Sequence, residues 1–142
     1  MKWITRAHVH VDRVACPWLI KRFIDSEAEF LFVAASAVEE TAAKLGAVPF
    51  DIEGAELGHH GDRCTFWALI GKYGLKDPAL LKLAEVVNAA DTGRPQAHPY
   101  APGLEAASRG FSLMFPDDGE NLRRQFAVYD ALYACLKTEA GR

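Results

Sequence analysis

The sequence predicts an α/β (α+β) domain, with a small, mainly N-terminal β-sheet of about three strands packed by five to six helices and a helical C-terminal half. Three observations predict this. In the first half, short aromatic and β-branched runs alternate with segments whose apolar residues recur at i, i+3, i+4 and i+7, whereas beyond residue 62 only the helical period remains. The third is size: 142 residues, half of them apolar, without repeat, linker or low-complexity tract, predict one domain over residues 1–142.

Each element has its own signal. Residues 2–5 read as a short strand. Cys16, Leu19, Ile20 and Phe23 share one face of a first helix, and Pro17 is expected in its first turn. Residues 29–33, Glu-Phe-Leu-Phe-Val, read as a second strand. Ser36 with Glu39 has capping-box spacing and predicts a helix that stops near Gly46. Residues 48–52 form the third strand. Phe66, Leu69, Ile70 and Tyr73 then predict a helix that starts at Asp62 or Thr65 and ends at Gly74. Asp77-Pro78, an N-cap followed by proline, opens a helix that turns Leu80, Leu83, Val87 and Ala90 inward. A proline-bearing loop spans residues 92–102, and Pro102 opens a helix to about Met114. After Pro116, Asp117 or Asp118 caps a long final helix with Leu122, Phe126, Tyr129, Tyr133 and Leu136 in one stripe.

Composition excludes several classes. A net charge of −3 and a pI near 5.9 argue against direct nucleic-acid binding by this chain. Lys21-Arg22 and Arg123-Arg124 fall on predicted helices and read as solvated faces. The start lacks an apolar signal region and no run is long enough to span a bilayer, so no membrane partner is expected. Three cysteines make no disulfide framework, and the expectation is a reducing cytoplasm.

Two segments carry the chemistry. One runs from His8 to Trp18 and the other from Glu56 to Phe66; each puts Asp-Arg just ahead of a cysteine that is expected to begin a helix. A thiol at a helix N-terminus ionises more readily and becomes nucleophilic, redox-active or metal-binding. The same N–H groups suit a tetrahedral oxyanion. Cys16 also falls on an apolar stripe, where a free cysteine packs as a small hydrophobe; Cys135 is expected in the core of the last helix. His59 lies three residues from Glu56 and five from Cys64, so one loop offers several ligands, and Cys16 or Asp12 can complete the set. His8 and His10 alternate on a strand extension and are weaker candidates. Asp91 ends a helix, where a carboxylate is unfavourable, and so calls for a metal or an arginine as partner.

The run from Asp12 to Asp25, Asp-Arg-Val-Ala-Cys-Pro-Trp-Leu-Ile-Lys-Arg-Phe-Ile-Asp, resembles the opening signature of the C-terminal domain of ChrB-type chromate-resistance proteins. The tract from Phe50 to Leu57 with His59 and Gly61-Asp62-Arg63-Cys64, the Ala90-Asp91-Thr92-Gly93-Arg94 stretch, and Tyr129-Asp130-Ala131-Leu132-Tyr133 match as well. Together they cover about residues 2–136. The resemblance implies a role in chromate resistance and singles out Asp12, Arg13, Cys16, Trp18, Glu56, His59, Asp62, Cys64 and Asp91. Longer members join this domain to an N-terminal region thought to bind DNA; that region is not expected in this chain.

Three functional readings follow. The first is a metal- or oxyanion-binding and sensing domain. Cys16, His59, Cys64 and Glu56 hold a divalent transition metal, zinc or iron, while Asp12, Arg13, Trp18, Asp62, Arg63 and Asp91 support it or an oxyanion. The second is a small thiol- or metal-dependent redox enzyme, so the sequence leaves open whether the chain catalyses. The third is a protein-interaction domain acting as a homodimer or with a partner protein.

Overall fold

In a computed structural model that describes the backbone of residues 1–140, strand β1 (Lys2–Arg6) lies at the centre of a three-stranded sheet. Trp3, Ile4 and Thr5 are all fully buried, because a central parallel strand is covered on both faces and has no solvent side to serve. Strand β2 (Glu29–Val33) pairs in parallel on one side, with Lys2 opposite Glu29 and Arg6 opposite Val33. Strand β3 (Val48–Pro49) pairs in parallel on the other, with Trp3 opposite Val48.

The third strand is shorter than the expected span of 48–52. Phe50 still donates its N–H to the Ile4 carbonyl at 3.0 Å, but Asp51 takes a left-handed conformation, φ 51°, and donates to the Leu57 carbonyl at 2.7 Å. The chain therefore leaves the sheet at Asp51 and enters the loop that carries His59.

Helix α1 (Val11–Leu19) begins well before the cysteine it was expected to present: Cys16 is its sixth residue and Pro17 lies inside it. The reason is the burial of Val11, Val14, Ala15 and Leu19, which drives helix from residue 11 onward. Pro17 lacks an N–H. A π-type turn, Ile20–Ile24, follows it, and Asp25 N–H reaches back five residues to the Ile20 carbonyl at 2.7 Å. Helix α2 (Val38–Leu45) covers one face of the sheet through Val38 and Ala42, which join Ile4 in a small core. The Ser36–Glu39 capping box does not form: a 3-10 turn at Ala35–Ala37 precedes the helix, whose N-cap is Ala37 without a side-chain bond.

The other face carries the main core. Helix α3 (Thr65–Lys72) starts at the Cys64 N-cap. Helix α4 (Pro78–Asp91) starts where Asp77 accepts the Ala79 N–H at 2.9 Å, and it buries Leu80, Leu83, Ala84, Val86 and Val87. Helix α5 (Ala101–Met114) begins one residue before Pro102. Helix α6 (Asp118–Ala140) is capped by Asp117, which accepts the Glu120 N–H at 2.9 Å. Leu122, Tyr129 and Leu136 are buried along it as expected, with Phe126 and Tyr133 packed against the same core. Cys135 is exposed rather than in the core, since it falls off that stripe. Asp130 locks α6 to α1: it accepts the Trp18 indole N–H at 2.7 Å and two bonds from Arg22 at 3.1 Å. No helix among the described residues is long and apolar enough to cross a membrane.

Helix α4 packs against α1, α3, α5 and α6. Leu83→Ala, at a fully buried position, is expected to lower unfolding free energy by about 2–5 kcal/mol. Leu113→Ala, at 84% exposure, is expected to change it by less than about 0.5 kcal/mol. Urea titration of both variants measures the difference.

Candidate metal centre

Parallel strands place their carboxyl ends along one edge of the sheet, and the loops leaving that edge are where such folds assemble ligand sites. Here β1 leads into Asp12 and β3 leads into Asp51. Asp12 is the second residue of α1 and only 1% exposed. Its carboxylate accepts the first N–H groups of α3, Thr65 at 2.9 Å and Phe66 at 3.3 Å. A negative charge at that helix N-terminus meets the positive end of its dipole. Asp51, 3% exposed, accepts the Thr65 hydroxyl at 2.8 Å and faces Arg13 Nη1 at 3.3 Å. Asp91, the last residue of α4, accepts the Asp12 N–H at 3.3 Å.

His59 closes the group. Its Nε2 lies 3.0 Å from Asp91 Oδ2, 3.4 Å from Asp51 Oδ1 and 3.5 Å from Asp12 Oδ2. One ring nitrogen thus meets three carboxylates from three separate stretches of chain. The loop that delivers it is tight: a Cβ on Gly58 would sit 3.0 Å from the Ile52 carbonyl oxygen and 3.1 Å from that of Ala55, so any larger residue beside His59 would have to push main-chain carbonyls aside. On the far side His60 and Arg63 exchange main-chain bonds at 3.0 and 3.2 Å, and Asn88 ties the loop to α4 by accepting the Cys64 N–H at 2.7 Å and donating to the Asp62 carbonyl at 3.1 Å. Ligand atoms of Asp12, His59 and Asp91 all lie within 4.8 Å of one another, a spacing that suits a metal ion.

Crowding shifts the protonation of the group. The hydrogen bond to Asp12, with the charges of Asp12, Asp51 and Asp91, raises His59 to about 9 against the opposing effect of its partial burial. Burial, then repulsion by Asp12, pushes Asp51 up to about 6 despite Thr65 and Arg13. Burial followed by repulsion from Asp12 and Asp51 pushes Asp91 up to about 7.

The thiols are placed differently from the sequence expectation. Cys16 is fully buried and its Sγ–H donates to Asp12 Oδ1 at 3.2 Å. Cys64 occupies the N-cap of α3, where a lowered pKa was expected, yet burial followed by the nearby Asp12 charge raises both thiols. Hydrocarbon surroundings and a carboxylate neighbour outweigh the helix terminus. Both are free, stand behind the carboxylates and lie outside the three-residue metal grouping.

The remaining sequence candidates divide. Arg13 is engaged by Asp51 and by the His8 carbonyl at 2.8 Å. Trp18 serves the α1–α6 contact through Asp130. Glu56 is 74% exposed and pairs with Lys72 at 3.0 Å. Asp62 is exposed, and Arg63 stacks over Trp67 at 4.5 Å. Strand β1 ends at Arg6 and His8 is left-handed at φ 66°, so His8 and His10 lie on no strand extension. Sequence reasoning missed Asp51 and Thr65. The usable signal was a carboxylate at the end of a predicted strand in an alternating strand–helix pattern. Asp91 was expected to meet a metal or an arginine; in the fold its partners are His59 and the Asp12 N–H.

A family described as "ChrB, C-terminal domain" matches residues 3–136, and the chain belongs to that family. Protein ChrB of Cupriavidus metallidurans is 39% identical over 134 residues, covering 93% of this chain. The chain spans about 40% of that relative's length. No solved structure matches it.

The cluster sets a pH dependence for the metal-free protein. Folded Asp51 and Asp91 keep protons above the ordinary carboxylate range, up to about 6 and 7, and folded His59 keeps its proton above the ordinary imidazole range, up to about 9. The folded state binds more protons than the unfolded chain across this window, so stability falls as pH rises through it. Asp25 and Asp130, held below the carboxylate range by Trp3 and Arg22 respectively, act in the opposite sense only below about pH 4. Urea midpoints of chelator-treated protein are expected to decline from pH 5.5 to 8.5, with a shallower decline in Asp91→Asn. A flat or rising profile contradicts the arrangement.

Proposed function

We propose that this chain is the metal-binding domain of a chromate-resistance system, holding one divalent transition metal through Asp12, His59 and Asp91, with Asp51 beside them. The observation that carries this reading is the meeting of one imidazole nitrogen with three carboxylates, two of them at 3% exposure or less. Like charges of this kind repel unless a cation stands among them. In the metal-free protein His59 serves as that cation; on loading, the metal takes over and the imidazole becomes a ligand. Carboxylate and imidazole donors suit iron(II), manganese(II) or zinc rather than copper(I). Family membership supports chromate resistance as the setting, and the three free cysteines support a reducing cytoplasm.

The same charges argue against direct capture of chromate. Arg13 faces Asp51, Arg63 lies on Trp67, and an anion at this site would meet three carboxylates. An oxyanion would reach the site as a ligand of the metal. A polar cavity of about 320 Å³, lined by Arg6, Asp51, Ile52, Glu53, Gly54 and His59, leaves room for one. Nucleic-acid contact by this chain is no part of the proposal.

Calorimetric titration with zinc and manganese, and with iron under anaerobic conditions, tests it. One ion per chain is expected. Asp91→Asn and His59→Ala are each expected to weaken binding by about 10- to 100-fold. Cys16→Ala and Cys64→Ala are expected to leave it within about threefold, since neither sulfur is in the ligand group. Metal lost from the cysteine variants and kept by the Asp91 and His59 variants would overturn the proposal in favour of a thiol site.

A further inference from the structure

The two edges of the sheet are finished differently. Strand β3 is two residues long and contains Pro49, so it offers little to pair with. Strand β2 has five residues and no proline or bulge. Its main-chain alternation follows from its end bonds: Glu29 N–H donates to the Met1 carbonyl at 3.0 Å, and the Val33 carbonyl accepts from Ala7 at 2.8 Å. In a parallel pair, residues 29, 31 and 33 then face β1, and Phe30 and Phe32 turn their N–H and C=O groups outward. Among the described residues none of these four groups has a hydrogen-bond partner.

That free edge lines a cavity of about 500 Å³. Phe30, Phe32, Leu122 and Phe126 make its apolar wall, and Lys21, Arg22 and Arg123 make its rim. Arg22 is neutralised by Asp130. Among the described residues Lys21 and Arg123 have no carboxylate within 4 Å, and Lys21 Nζ donates only to the Ala28 carbonyl at 3.2 Å, which closes the edge at that end.

We propose that the outer edge of β2 docks an extended acidic peptide segment of a partner protein, which adds to the sheet as a fourth strand. Main-chain bonds to Phe30 and Phe32 supply the pairing; alternate apolar side chains enter the aromatic wall; acidic residues meet Lys21 and Arg123. The rim's charge selects this occupant. A second copy joined edge to edge would bring Lys21 and Arg123 against their own counterparts, and a basic peptide would be repelled. The proposal does not depend on the metal cluster, which lies at the ends of β1 and β3.

The probe is a blocked nonapeptide alternating glutamate with valine, titrated into isotopically labelled full chain, with a lysine–valine peptide as comparison. Binding in the range of about 10–100 µM is expected, with shifts and exchange protection at the Phe30 and Phe32 amides. The double variant Lys21→Gln, Arg123→Glu keeps a donor for Ala28 and is expected to bind about tenfold more weakly with an unchanged amide spectrum elsewhere. Asp91→Asn is expected to bind the peptide normally, which separates this surface from the metal site. No response at Phe30 and Phe32 up to about 1 mM peptide overturns the proposal. Equal binding of the lysine peptide overturns it too, as does protection of those amides by concentration-dependent dimerisation without peptide.

Discussion

Asp12 accepts two main-chain N–H groups from the first turn of α3 and donates its own N–H to the carboxylate that ends α4. One residue thereby joins three helices beneath the carboxyl edge of the sheet. Because the residue is buried, its charge must be satisfied by the protein itself. Everything else at the site is arranged around that requirement: Thr65 and Phe66 by their amides, His59 by its ring, Cys16 by its thiol proton.

A buried carboxylate is ordinarily stabilised by a basic partner. Among the described residues this site instead adds two more carboxylates and supplies only His59 and Arg13 against them. Arg13 meets one of the three, Asp51, together with the His8 carbonyl, and a 42% exposed imidazole faces all three. Such an arrangement is poorer for the stability of the metal-free fold than a simple ion pair would be. Its retention in the folded chain is intelligible if a cation of higher charge replaces the imidazole proton.

The thiols illustrate how burial overrides a local helix field. Cys64 occupies the position where a helix terminus favours thiolate, yet its surroundings are Phe66, Leu69 and other core side chains, with Asp12 nearby. Cys16 fills space between α1 and its neighbours and donates a hydrogen bond from its thiol to Asp12. Both thus serve packing, and Cys16 also helps satisfy the Asp12 carboxylate. The two Asp-Arg-to-cysteine stretches are not equivalent halves of one site: Asp12 is at its centre, whereas Asp62 is in solvent and Arg63 lies on Trp67.

Local signals in the sequence determined the mixed fold, six helices with most of their boundaries, and the stripe of α6; they singled out Asp12, His59 and Asp91 among other candidates, but not that the three meet. Periodicity, caps such as Asp77, and glycine stops such as Gly46 and Gly74 act over a few residues and need no tertiary partner. Where the expectation failed, long-range packing decided. Burial of Val11 and Val14 began α1 early, and the left-handed turn at Asp51 cut β3 short and brought a third carboxylate to the centre. Chain spacing likewise set Glu56 beside His59, while the folded loop turned Glu56 to Lys72 and His59 inward. A ligand set is a statement about distances between segments up to 79 positions apart. Only the completed packing of α1, α3 and α4 against the sheet sets those distances.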